Sequence, residues 1–139
     1  MATEGDHVEV TLYEAVGGML FFERLVEAFY VRVQADPVLL SLYPEQDLRP
    51  AQRRLATFLA QYWGGPTTYQ QERGHPALKM RHFPFAIGPR ERDHWMAAMA
   101  AAVEELAPID QVQQMLMDYF RSAAEHLRND QTMRFTGSA

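Results

Sequence analysis

The chain has 139 residues, enough for one domain whose core buries about two-thirds of the unfolded surface. Its formal net charge of −5 argues against a nonspecific nucleic-acid surface, because such a surface needs an excess of lysine and arginine. It has no cysteine, which excludes disulfides, thiolate metal sites and cysteine nucleophiles. No window approaches the ~18 to 20 apolar residues of a membrane span, and the acidic N-terminus differs from a signal peptide, so we expect a cytoplasmic protein.

The first strongly periodic segment is 19–34, where apolar residues recur at three- and four-residue steps. This spacing predicts an amphipathic helix. Gly17 and Gly18 precede the helix as a flexible corner, and Asp36 and Pro37 follow it with the pattern of a helix cap and first turn. We therefore expect a second, short element directly after the first long helix.

The next predicted helix begins at Pro50 and ends near Trp63, where glycines interrupt the pattern. Periodicity then fails from 67 to 88, where glycine and proline allow at most one short helix, near 76–82. Irregular segments of this length are uncommon in small domains. The segment is therefore expected to serve the function.

Two further helices are predicted over 89–106 and 109–128, on either side of Pro108, with Met115 among the buried residues of the second. No alternating β-branched run competes with these helices, so the fold class is all-α. The predicted organisation is a flexible tail over 1–10, one domain over 11–128 and a second flexible tail over 129–139.

His82 is the candidate ligand among the histidines, none of which has the spacing of a protein-only zinc site. A single histidine can still be the axial ligand of haem iron, because the porphyrin supplies four nitrogens. His82 lies in the irregular segment and precedes "FPF", which offers apolar surface to a macrocycle. The residue pattern alone leaves both a structural and a ligand role open.

Three aromatic residues with polar tips, Tyr30, Tyr43 and Trp95, could donate hydrogen bonds into a cavity or simply fill the core. Arginines near the irregular segment could meet acidic groups of a cofactor or be solvated surface. The motifs of the commoner enzyme classes, such as a Walker loop, GxGxxG or GxSxG, are absent. A binding protein therefore competes with an enzyme as the interpretation.

Several short motifs decide between these readings by their order along the chain. They are "YEAVGG" at 13–18, "FY" at 29–30, "YP" at 43–44, "QYWGGP" at 61–66, "TY" at 68–69, "RGHP" at 73–76, "MRHFPF" at 80–85 and "ERDHW" at 91–95. With these motifs the sequence over 11–128 resembles the truncated haemoglobins, and among them group II, also called the O-type. The resemblance implies a globin-like fold, the shortened two-on-two helical sandwich.

The resemblance also implies a cofactor, haem b, with His82 as the proximal ligand of its iron. Tyr30, Tyr43 and Trp95 match the distal hydrogen-bond donors of this group. Ala51 falls where longer globins place a distal histidine, which leaves a small space beside the ligand. The other residues that the resemblance places against the cofactor are Arg54, Leu55, Phe58, Leu59, Tyr69, Met80, Arg81, Phe85, Ile87 and Met99, with Arg54, Tyr69 and Arg81 at the propionates.

The leading interpretation is a haem protein that binds dioxygen and other diatomic ligands and releases them slowly. The ligands implied are dioxygen, nitric oxide, carbon monoxide or peroxide. A second interpretation is a nitric oxide dioxygenase or peroxidase-type enzyme served by a reductase. A third is a cofactor-free helical interaction module in which His82 is structural. The resemblance permits a homodimer, and the pattern gives no role to His94.

Overall fold

A computed structural model describes residues 10–43, 46–74 and 88–127, and every regular element in these ranges is an α-helix. In chain order the helices are α1 Leu12–Ala15, α2 Met19–Gln34, α3 Pro37–Leu40, α4 Arg49–Tyr62, α5 Thr68–Arg73, α6 Pro89–Leu106 and α7 Asp110–Leu127. The all-α prediction is confirmed, and the predicted bounds of α2 and α6 are those of the structure. None of these helices combines the length and apolar character needed to cross a membrane.

Helix α2 is the central element, because it packs against both α4 and α6, and α7 packs against α6. Phe22, Leu25, Phe29 and Val33 recur on its inner face and are fully buried. Burying side chains of this size stabilises the fold by about 1.5 to 3 kcal/mol each. The pair α2 and α4 therefore faces the pair α6 and α7, which is the expected two-on-two sandwich.

Helix α1 is short, yet it is fixed to the end of α4. Thr11 and Glu14 cap it reciprocally, since the Thr11 Oγ1 accepts from the Glu14 N–H at 3.1 Å and a Glu14 carboxylate oxygen accepts from the Thr11 N–H at 3.2 Å. The Tyr13 N–H donates to the Trp63 carbonyl at 3.1 Å. Gly64 follows with a φ of 103°, a conformation that favours glycine.

Two expectations about the helices were wrong. Residues 68–73 form α5 where no helix was predicted, and Met115, predicted to be buried, is 40% exposed. Among the described contacts α7 packs chiefly on α6, so only a narrow face, with Val112, Leu116 and Phe120, is buried. The helix predicted near 76–82 and most of both predicted tails lie outside the described residues.

Candidate functional site

Tyr30 and Tyr43 come together on one side of α2. Tyr30 lies on the buried face of α2 and is 3% exposed, and Tyr43 follows α3 after a short turn and is half-buried. The Tyr30 hydroxyl donates to the Tyr43 hydroxyl at 3.4 Å, and the two rings meet edge to face with centroids 5.4 Å apart. A hydroxyl that accepts a hydrogen bond still has its own proton to donate. In this pair Tyr43 is therefore the candidate donor to a ligand, and Tyr30 supports it through their contact.

Trp95 approaches the same region from α6. Its half-buried indole packs edge to face on Phe29, with centroids 5.4 Å apart, and Phe29 in turn packs on the Tyr30 ring at 5.1 Å. Phe29 is fully buried, so it cannot move away without opening the core. Phe29 therefore contacts both Tyr30 and Trp95, and it links the pair of tyrosines to the indole.

These contacts belong to a longer run of rings, which we call the aromatic series. It links consecutive pairs at centroid distances of 4.3 to 5.7 Å and consists of Tyr43, Tyr30, Phe29, Trp95, Phe120, Tyr119 and Tyr62. At its outer end Tyr62 is 54% exposed, and burial raises the pKa of Tyr119 to about 12. Trp63 contacts Tyr62 and Tyr119 from the side. The series runs from the predicted donors to the protein surface.

Helix α4 supplies apolar side chains expected to contact the cofactor. Ala51 is 4% exposed, whereas Leu55 and Phe58 are half-buried and keep accessible surface. Leu59 and Met99 are covered by protein, at 1% and 0% exposure. The face of α4 that remains available to a flat apolar group is therefore formed by Leu55 and Phe58.

Of the polar residues expected at the propionates of the cofactor, the structure describes Arg54 and Tyr69. Arg54 is half-buried on α4, and Tyr69 lies on α5 with its ring edge-on to Phe58, centroids 5.4 Å apart. Next to Arg54, Arg53 forms an ion pair with Glu72 of α5, which holds α5 against α4. Helix α5 was missed because, in six residues, Tyr69 is its only buried one.

The remaining expected residues, Met80, Arg81, His82, Phe85 and Ile87, lie outside the described residues. Among the residues that are described, no three His, Cys, Asp or Glu side chains gather as a metal site. The proximal assignment of His82 therefore depends on its sequence motif.

One polar contact beside the donors was not predicted. The Nδ1 atom of His94 lies 2.7 Å from the Oδ2 atom of Asp36, and the same carboxylate caps α3. The hydrogen bond with His94 is the main cause that lowers the pKa of Asp36, and the bonds from the Val38 and Leu39 N–H groups act in the same direction. The sequence signalled the cap, but two residues 58 positions apart give no local signal of pairing.

Comparisons with known proteins agree with this architecture. The family model described as bacterial-like globin matches residues 11–129. The group 2 truncated haemoglobin YjbI of Bacillus subtilis is 37% identical over 117 residues, which cover 84% of this chain and 87% of that protein.

Two solved structures share the fold. The thermostable haemoglobin of the actinobacterium Thermobifida fusca is 54% identical with a TM-score of 0.84, over 86% of this chain and 98% of that one. The truncated oxygen-avid haemoglobin of Bacillus subtilis is 35% identical with a TM-score of 0.81, over 86% of this chain and 100% of that one. The motifs, the two-on-two helices and these matches together place the chain in the bacterial-like globin family, as a group II truncated haemoglobin that binds diatomic ligands through haem.

Proposed function

We propose that this protein binds dioxygen at haem b and releases it slowly. The observation that carries the proposal is the contact of Tyr30 with Tyr43, whose hydroxyl oxygens lie 3.4 Å apart. Ring contacts through Phe29 link this pair to Trp95. Three hydrogen-bond donors gathered in a largely apolar setting suit a small polar ligand. The similarity to an oxygen-avid haemoglobin supports dioxygen as that ligand.

The described residues fit a flat apolar cofactor on the face of α4 that carries Leu55 and Phe58. Leu55 and Phe58 offer accessible apolar surface, and Ala51 leaves space near the ligand because its side chain is a single methyl group. Tyr69, edge-on to Phe58, and Arg54 would lie toward the propionates. When bound, haem iron supplies the position at which a diatomic ligand coordinates.

His82 would be the protein ligand that holds that iron. The proposal follows from the motif "MRHFPF", in which one imidazole is followed at once by aromatic and proline residues. A backbone carbonyl would orient the other ring nitrogen. Met80, Arg81, Phe85 and Ile87 would line this proximal side, with Arg81 at a propionate.

Slow release follows from what the distal donors do. A diatomic ligand with partial negative charge on its outer atom is stabilised by phenol and indole protons in a low-dielectric pocket. If two such hydrogen bonds each contribute about 1 to 1.5 kcal/mol, together they slow ligand loss by roughly 30- to 150-fold. Slow release is better suited to chemistry or sensing than to bulk transport.

The deciding experiment is the absorption spectrum of protein purified with haem available, in ferric, ferrous and oxygenated forms. We expect an intense Soret band that His82→Ala loses or alters and that His75→Ala, a matched change in the same segment, leaves unchanged. A wild-type protein without a Soret band would support the cofactor-free module instead. An unchanged spectrum in His82→Ala would reject the proximal assignment.

A further inference from the structure

One carboxylate, that of Asp36, touches two structural elements at once. Its Oδ1 atom accepts from the Val38 N–H at 2.9 Å and from the Leu39 N–H at 3.4 Å, which caps the start of α3. Its Oδ2 atom lies 2.7 Å from Nδ1 of His94 on α6. Each oxygen therefore has a separate task, and the carboxylate bridges α3 and α6.

This bridge lies between the segments that carry the proposed donors. Asp36 lies two residues after the end of α2, which carries Tyr30, and the helix that it caps leads within a few residues to Tyr43. His94 directly precedes Trp95 on α6, and α3 packs against α6. A shift of His94 relative to Asp36 would change the distance between the indole and the two phenols.

Among the described residues, the neighbouring charged side chains on α6 and α2 have other ion-pair partners. On α6, Arg92 pairs with Asp93 and with Glu125 of α7, and Arg90 pairs with Glu91. On α2, Arg32 pairs with Glu105 near the far end of α6. The side chains of Asp36 and His94 are 23% and 40% exposed, so water screens the contact only in part.

We propose that His94 is a positioning residue for the ligand site, which sets the distance of Trp95 from Tyr43 and Tyr30 through its hydrogen bond to Asp36. The inference deepens the proposed function and rests on it for its effect on ligand release. The hydrogen bond itself, and its effect on the place of Trp95, do not depend on haem.

The test uses variants that distinguish the contact between Asp36 and His94 from the capping of α3 by Asp36. Asp36→Ser keeps a good N-cap but is too short to reach α6, and His94→Ala keeps the cap and removes the bridge. His94→Asn is the rescue variant, because its amide nitrogen takes the place of Nδ1. Glu105→Gln is the control, because it weakens a different contact of α6, the ion pair of Glu105 with Arg32 of α2.

The first readout is oxygen dissociation by stopped flow. We expect Asp36→Ser and His94→Ala to speed it about threefold to tenfold, since only part of the energy of a half-exposed hydrogen bond reaches the ligand. The double variant should be no faster than the faster single variant, because both remove the same contact. His94→Asn should return most of the wild-type rate, and Glu105→Gln should not change it.

The second readout is the indole N–H signal of Trp95 in an ¹⁵N–¹H spectrum of the purified full chain, reduced and saturated with carbon monoxide. Trp63, the other tryptophan, is the internal reference. The Trp95 signal should move in His94→Ala and Asp36→Ser, return in His94→Asn and stay in Glu105→Gln. An unmoved Trp95 signal, or single variants with wild-type dissociation rates, would overturn the inference.

Failure of the proposed function would give a different experimental result from failure of the positioning role. A protein without a Soret band would reject haem binding, and the Trp95 signal would still decide whether His94 positions that side chain. A protein with haem and an unmoved Trp95 signal would reject the positioning role alone. The two results therefore cannot be confused.

Discussion

The hydroxyl oxygens of Tyr30 and Tyr43 lie 3.4 Å apart, although the residues are 13 positions apart and belong to different elements. The turn at Asp36 and the short α3 return the chain to α2 and so create this contact. Through this hydrogen bond Tyr30 holds the hydroxyl of Tyr43 in place. We therefore expect the two phenols to act as one unit.

We predict that Tyr43→Phe speeds oxygen dissociation about 5- to 13-fold, which corresponds to one lost hydrogen bond of about 1 to 1.5 kcal/mol. Tyr30→Phe should have a smaller effect, because it removes only the support of Tyr43. Stopped-flow dissociation of the oxygenated protein is the measurement. The double variant should resemble Tyr43→Phe, and strictly additive effects would show that the phenols act independently.

Trp95→Phe should also speed oxygen dissociation, by about 5- to 13-fold, because the ring contact with Phe29 is retained and the indole donor is lost. Trp63→Phe is the matched control and should leave the rate unchanged, because this indole packs on Tyr62 and Tyr119 and not on Phe29. Equal rates in wild type and Trp95→Phe would exclude Trp95 as a donor to the ligand.

Gly65→Ala should destabilise the fold without touching the ligand site. The added Cβ would lie 2.5 Å from a ring carbon of Tyr13 and 2.8 Å from the Ala60 carbonyl oxygen, closer than real contacts allow. We expect a loss of about 1 to 3 kcal/mol in the free energy of unfolding, measured by urea denaturation. Adding Tyr13→Leu should recover part of that loss, and no recovery would place the strain at the Ala60 carbonyl.

The bridge at Asp36 should appear in acid stability. Because the hydrogen bond with His94, together with the cap, lowers the folded pKa of Asp36 below 3.8, the contribution of Asp36 to stability is present above about pH 4 and lost as pH falls through the folded value. The urea midpoint of wild type should therefore exceed that of His94→Ala at pH 5, and the gap should narrow toward pH 2. A gap that stays constant over this range would mean that Asp36 does not contribute.

The long helices could be predicted from the sequence because the apolar spacing agrees with the glycine and proline residues at the helix ends. For α6, Gly88 and Pro89 mark the start, Pro108 follows the end, and apolar residues recur in between. Helix α5 gave no such pattern. Met115 was wrongly predicted to be buried, because the buried face of α7 is narrower than its apolar stripe. Local patterns do not report how many neighbours a helix has.

The donor roles of Tyr30, Tyr43 and Trp95 stay a prediction from the resemblance, since spacing alone gives a buried aromatic residue and a cavity donor the same pattern. The contact between Asp36 and His94 could not be predicted at all. It depends on the packing of α3 against α6, which no stretch of sequence encodes locally. Such long-range polar pairs are visible only in three dimensions.

The aromatic series has a practical consequence for spectroscopy. The chain has only two tryptophans, and Trp95 lies within the series while Trp63 contacts its outer end. Tyrosine rings this close to an indole pass their excitation energy to it. The intrinsic fluorescence of the protein should therefore be a local signal from the ligand site and its path to the surface, and adding haem to the protein should extinguish it.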